Sequence, residues 1–176
     1  MKTRPALLFL LIITGVVCSC SSQQQISNRD SKIAQLIDEQ TYTFVAQSVL
    51  PTEDSRYNVR NMFPNSSANL YQLTSRYDLK ITQDSVIAYL PFFGRAYTAP
   101  VDPSKGGIQF TSTKFSYKKT MRKGSYEIDI RPKDNNDIQA LYLTVSPSGY
   151  ASLRITSLNK TPISYNGVIG PNKQNK

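Results

Sequence analysis

From Tyr42 onward, apolar residues recur at every second position in short runs separated by turn residues. Tyr42, Phe44 and Ala46 alternate with polar neighbours, and so do Tyr77, Leu79 and Ile81. The same spacing returns at Tyr126, Ile128 and Ile130, at Leu141, Leu143 and Val145, and at Ala151, Leu153 and Ile155. Successive side chains of a strand point to opposite faces, so each run buries one face and wets the other. A nearly continuous apolar run at Val86–Leu90, the pairs Ile108/Phe110 and Phe115/Tyr117, and residues 163–169 extend the series. Gln83-Asp84, Arg122-Lys123-Gly124, residues 134–137 and Pro147-Ser148-Gly149 supply turns. Residues 61–69 read as a loop. Hairpins in sequence predict an all-β fold: an antiparallel meander forming a small barrel or sandwich.

One helix interrupts the pattern. Over residues 28–40, Ile33, Leu36 and Ile37 form an i, i+3, i+4 stripe, and Asn28 or Asp30 can cap its start. The short N-terminal helix is expected to pack on the β-domain. The predicted organisation is a leader over 1–20, a flexible polar tether over 21–29, a single domain over 30–169 and a frayed polar tail over 170–176.

The leader has a basic start at Lys2 and Arg4, an apolar stretch from Ala6 to Val17, and small residues at Cys18-Ser19-Cys20. That is the layout of a secretory signal. The stretch falls short of the roughly 20 apolar residues a membrane span needs. Val17-Cys18-Ser19-Cys20 resembles a bacterial lipobox, with Val17 three positions before Cys20 and Ser19 immediately before it. The resemblance implies lipidation at Cys20. The alternative is an ordinary signal peptide with two bystander cysteines.

The sequence contains no histidine, and both of its cysteines lie in the leader. Ser-His-Asp and Cys-His catalysis, histidine acid–base chemistry, and histidine or thiolate metal sites are thereby excluded from the domain. Only 12 Asp plus Glu remain for carboxylate chemistry. No Gly-x-Ser-x-Gly, phosphate loop or dinucleotide fingerprint occurs. The chain therefore reads as a non-enzyme without cofactor, metal or catalytic residues; a histidine-free hydrolase, built on paired carboxylates such as Glu127 and Asp129 or on a Lys with Ser or Tyr, is the catalytic alternative. Arg131 shares their face, which makes an ion-pair ladder the simpler reading. The net charge of +9 falls by the two charges of Lys2 and Arg4 when the leader is lost. Export makes nucleic acid a poor partner for this charge and favours anionic lipid or cell-wall polymer, against a solvated basic surface.

Two stretches stand out as candidate sites. In Leu90-Pro91-Phe92-Phe93-Gly94-Arg95-Ala96-Tyr97, Pro91 ends a strand and aromatic residues crowd one bend. Phe92, Phe93, Arg95 and Tyr97 could rim a ligand pocket, with Arg95 gripping an anion; the alternative is a structural corner plugging the core. Lys114, Lys118, Lys119, Arg122 and Lys123 surround Phe115, Tyr117 and Met121 and could rest on an anionic surface. The alternative is a half-buried strand whose lysines guard an edge. Residues 134–137 offer oxygen ligands, but they lack calcium-loop spacing and suit a turn.

The same Leu-Pro-Phe-Phe-Gly-Arg-Ala-Tyr stretch, with Gly107-Ile108-Gln109-Phe110, Gly149-Tyr150-Ala151-Ser152-Leu153 and Ile163-Ser164-Tyr165-Asn166-Gly167, resembles a domain-of-unknown-function family of Bacteroidetes-type exported lipoproteins. The similarity runs from about Lys32 to Ile169. It implies an all-β exported domain and brings no activity, cofactor or catalytic residue. Surface-exported lipoproteins of such bacteria often carry acidic residues just after the modified cysteine. None precedes Asp30 here, so the anchor is expected to face the periplasm. The functional expectation is a membrane-tethered, non-catalytic periplasmic binding or envelope-accessory module, partnered by a membrane through its lipid and by a small ligand or envelope protein. The alternative is a structural or protein-interaction lipoprotein without a small-molecule pocket.

Overall fold

The computed structural model describes residues 21–51, 71–98 and 106–172. The expected leader with Cys20, the loop expected at 61–69 and the end of the expected tail, 173–176, lie outside the described residues. Helix α1 (Ser21–Asp38) precedes nine strands: β1 (Tyr42–Pro51), β2 (Gln72–Ile81), β3 (Val86–Leu90), β4 (Ile108–Ser112), β5 (Phe115–Arg122), β6 (Ser125–Pro132), β7 (Ile138–Val145), β8 (Tyr150–Ser157) and β9 (Ile163–Pro171).

The strands form one antiparallel sheet in the order β4-β3-β2-β1-β9-β8-β7-β6-β5. Chain neighbours pair throughout, except that β1 pairs with β9. Counting directions across this order, β4 and β5 run the same way, and only Thr113 and Lys114 separate them. They are thus two halves of one bent strand. The first half pairs with β3 and the second with β6. This sharing nearly closes the sheet into a barrel.

Alternation decides what fills it. Tyr42, Phe44, Leu79, Ile81, Leu90, Ile128, Ile130, Leu141, Leu143, Leu153 and Tyr165 are all fully buried inside. Burying each large apolar side chain stabilises the fold by about 1.5–3 kcal/mol. Val86–Leu90, continuous in sequence, still alternates: Val86, Ala88 and Leu90 face inward, while Ile87 and Tyr89 face out. Apart from tyrosine hydroxyls, the only buried polar side chains among the described residues are Thr43 and Ser112.

Helix α1 lies across one barrel mouth, beside the β7–β8 turn and β5. Of the predicted stripe, Ile33 and Ile37 are buried there and Leu36 is partly buried. The helix takes in Ser21 to Gln25, the run whose composition suggested a flexible tether. Its C-terminus is a Schellman motif: Thr41 N–H bonds to Leu36 O at 3.1 Å and Gln40 N–H to Ile37 O at 3.3 Å, with Gln40 at φ 52°. The expected frayed tail also begins later than its composition suggests. β9 runs through Pro171, and Asn172 accepts from Thr43 Oγ1 at 2.7 Å and donates to Ile81 O at 2.9 Å.

Two glycines matter to this geometry. Lys123 and Gly124 both have positive φ, 51° and 78°, and close the β5–β6 hairpin between the paired Arg122 and Ser125. Gly167 sits where β9 meets the bulge of β1, and a Cβ there would lie 2.0 Å from Val45 O. Only the absence of a side chain lets the first and last strands approach. Gly167→Ala is expected to destabilise the protein by about 1–3 kcal/mol, as overpacking does. Gly170→Ala, with nothing within 4 Å, should be close to neutral. Urea unfolding of both variants checks this, and equal midpoints would refute it.

Candidate functional site

The corner after β3 sits at the barrel end opposite the helix. Pro91 O accepts a 2.6 Å hydrogen bond from the hydroxyl of Tyr165, which is buried in the core. Burial pushes the Tyr165 phenol well above its ordinary range. Beyond Pro91 the chain lies along the β8–β9 connection. Arg95 N–H donates to Thr161 Oγ1 at 3.2 Å, Thr161 N–H to Arg95 O at 3.0 Å, and Tyr97 N–H to Asn159 O at 2.8 Å. Ala96 and Lys160 form an isolated bridge.

This lacing sorts the four candidate pocket residues. Phe92 packs against the core, whereas Phe93 and Tyr97 are 52% and 63% exposed and Arg95 is exposed. Leu158, also exposed, lies in the same connection. Neither cavity identified among the described residues is lined by any of the four.

The basic residues separate into four places. Lys114 lies at the β4–β5 bend and Lys118 on the outer face of β5, both exposed. Lys119 turns inward and pairs with Asp38 at the end of α1. Arg122 and Lys123 form the hairpin tip, with Arg122 reaching Glu127 at 3.9 Å. Beneath them, the Tyr42 and Tyr117 hydroxyls meet at 3.1 Å. Burial pushes both phenols up.

The 134–137 segment is a pair of structural clamps. Asp134 accepts from Ser112 Oγ and from the backbone N–H groups of Thr113, at 2.8 Å, and Lys114, at 3.0 Å. It therefore holds the bend that divides β4 from β5. Asn135 Oδ1 caps Asp137 N–H and Ile138 N–H at 2.9 and 2.8 Å. Asp137 accepts from Ser157 Oγ at 2.6 Å, Asn159 N–H at 3.1 Å and Lys160 Nζ at 3.2 Å, and so fixes the turn on which the aromatic corner rests. Partial burial raises its pKa, but Ser157, Lys160 and Asn159 outweigh this and hold the carboxyl low. Among the described residues no group of three potential metal ligands is present.

The remaining carboxylates form the expected ladder: Arg131 pairs with Asp129 at 3.0 Å, on the same face as Glu127. A shallow depression of about 300 Å³ beside them is lined by Lys118, Thr120, Glu127, Asp129, Tyr142 and Thr144. The larger cavity, about 620 Å³, is a groove that periodicity could not reveal. Ala46 faces Tyr77, but Ser48 already faces Gln72, so Leu73, Thr74, Ser75 and Arg76 arch away from β1. The groove between them is open and mostly polar, and Arg76 at its rim pairs with Asp78 at 3.1 Å.

The bend makes a pH prediction. The Ser112 hydroxyl and the Thr113 N–H hold the Asp134 carboxyl at about 2, below its ordinary 3.8. A depressed carboxyl contributes stability that is complete above the unfolded value and lost as pH falls through the folded one. The stability difference between wild type and Asp134→Asn should therefore be full above about pH 4, shrink as pH falls from 4 to 2, and vanish below. Thermal unfolding across that window checks it, and a constant difference would remove Asp134 from this role.

A crystal structure of a DUF4251 family protein from Bacteroides eggerthii superposes on the chain with a TM-score of 0.52. The match covers 82% of this chain and 88% of that one at 14% identity, a likeness of fold. No curated protein matches the chain. Residues 24–169, nearly all of the domain, match the family described as a domain of unknown function, DUF4251, and the chain belongs to that family.

Proposed function

We propose that the chain is a lipid-tethered, non-catalytic accessory module of the bacterial cell envelope, facing the periplasm, that binds its partner at its surface. One observation carries the surface part: the barrel interior is filled by its own side chains. Among the described residues its buried polar groups are the Ser112 hydroxyl, bonded to Asp134, and tyrosine phenols bonded at the barrel's two ends. A small-molecule barrel keeps an apolar hollow with a few convergent polar groups. A catalytic cleft collects titratable groups with strongly shifted pKa values. Here the shifted carboxyls, Asp134 and Asp137, are each occupied in holding a turn. The tether rests on the leader and its lipobox; no helix among the described residues is long and apolar enough to cross a membrane.

The open groove between β1 and β2 favours a second reading, a small polar ligand held beside Ser75 and Arg76. A molecule retained through gentle purification, visible by native mass spectrometry and lost on Ser75→Tyr, would favour that reading. The tether has its own test. Cells fed an alkyne fatty acid should label the wild-type chain and Cys18→Ser, but not Cys20→Ser. Equal labelling of Cys20→Ser, or none of the wild type, would overturn the anchor.

A further inference from the structure

Among the described residues, the bent strand leaves one edge of the sheet unpaired. β3 pairs with residues Ile108–Ser112 and then ends, while the same strand continues past Lys114 as β5. From Phe115 onward, its only strand partner among the described residues is β6. The hairpin geometry says which groups this leaves free. Lys123 and Gly124 form a tight two-residue turn with positive φ, so Arg122 and Ser125 are a hydrogen-bonded pair. Pairing alternates along an antiparallel ladder, so Thr120 and Lys118 also bond to β6, opposite Glu127 and Asp129. The N–H and C=O groups of Tyr117, Lys119 and Met121 therefore point away from β6. No backbone partner meets them among the described residues.

The chemistry along this edge is specific. On the outer face, Lys118 and Arg122 are exposed. On the inner face, Met121 is 64% exposed and Tyr117 is partly buried. Unpaired edges are templates for another strand, and lysine on an edge keeps identical chains apart by like-charge repulsion. The same charges attract an acidic strand. We propose that the free edge of β5 is a strand-addition site for an extended partner segment. That segment alternates acidic residues, set beside Lys118 and Arg122, with apolar residues set beside Tyr117 and Met121. The added strand takes the place in the sheet that β3 vacates beyond Val86. The inference deepens the reading that the module acts at its surface, and it is independent of the lipid tether.

The test uses residues 21–176, which hold every described element, and an acetylated nine-residue peptide alternating glutamate and valine. With saturating peptide, the amide hydrogens of Tyr117, Lys119 and Met121 should exchange at least about tenfold more slowly, while those of Lys118 and Thr120 stay unchanged. Met121→Pro removes an outward N–H without breaking a β6 bond. It should keep the wild-type melting temperature and abolish that protection. Lys118→Glu with Arg122→Glu should weaken peptide binding by about tenfold or more while leaving the edge open. The proposal fails if the three amides stay unprotected, or if Met121→Pro binds as well as wild type. It also fails if the free protein already protects them by pairing with a second copy. Binding through the same lysines to vesicles of phosphatidylglycerol, without peptide protection, would assign the surface to a membrane and overturn it. Failure here with Cys20 labelling intact would leave the tethered module standing.

Discussion

The barrel depends on the pairing of its first strand with its last. β1 and β9 lie at opposite ends of the described chain, and their register runs unbroken from Tyr42 opposite Pro171 to Ala46 opposite Gly167. A bulge follows, and pairing resumes at Ser48 opposite Asn166. Without this contact the molecule would be two meanders, β1–β4 and β5–β9, each with an apolar face open to water. With it, Phe44, Leu79 and Tyr165 share one interior with Ile130, Leu143 and Leu153. Pairing strands so distant in sequence carries a large loop-closure cost before it is rewarded. Gly167 then becomes a requirement, because a side chain there would meet the Val45 carbonyl.

Closure on the other side is incomplete, and polar groups manage it. A strand that belongs to β3 in its first half and β6 in its second must turn at Thr113 and Lys114. That turn leaves backbone N–H groups without a ladder partner. Asp134 accepts two of them, and the Ser112 hydroxyl besides. A single carboxylate at this point thus ties the bend from several directions. Asp137 does the same for the β8–β9 connection. The helix closes the mouth above, its last turn tied to β5 by Asp38 with Lys119. Each end of the barrel also has a buried tyrosine whose hydroxyl finds a partner: Tyr42 on Tyr117 at the helix end, and Tyr165 on Pro91 at the other. Such phenols contribute a large apolar ring to the core while satisfying their polar tips.

Much of the candidate site was legible in pieces and not in arrangement. The Asp134 to Asp137 segment was recognisable as a turn because Asn and Asp side chains cap nearby N–H groups, and both clamps and the Asn135 cap follow that logic. The aromatic corner was recognisable from Pro91. Its sidedness was not, since Phe92 packs inward and Phe93 outward only because Thr161 and Asn159 lace the backbone down. The five basic residues looked like one patch because they are close in sequence. The β4–β5 bend, the outer face of β5, the helix contact and the hairpin tip divide them among four places. The groove beside Ser75 had no signal, because a register slip between β1 and β2 depends on both strands at once.

The sequence by itself determined the strands, their inward faces and the turns between them, because period-two alternation and turn chemistry are local properties of neighbouring residues. It also determined, through the absence of histidine and of cysteine beyond residue 20, which side-chain chemistries the domain lacks. Only the tertiary structure decided that the sheet nearly closes into a barrel, that β1 meets β9, and that residues 108–122 are one bent strand whose later half has an unpaired edge among the described residues. Those outcomes rest on contacts between residues far apart in the chain. Their free energy depends on which faces can be buried together, and no local pattern records that.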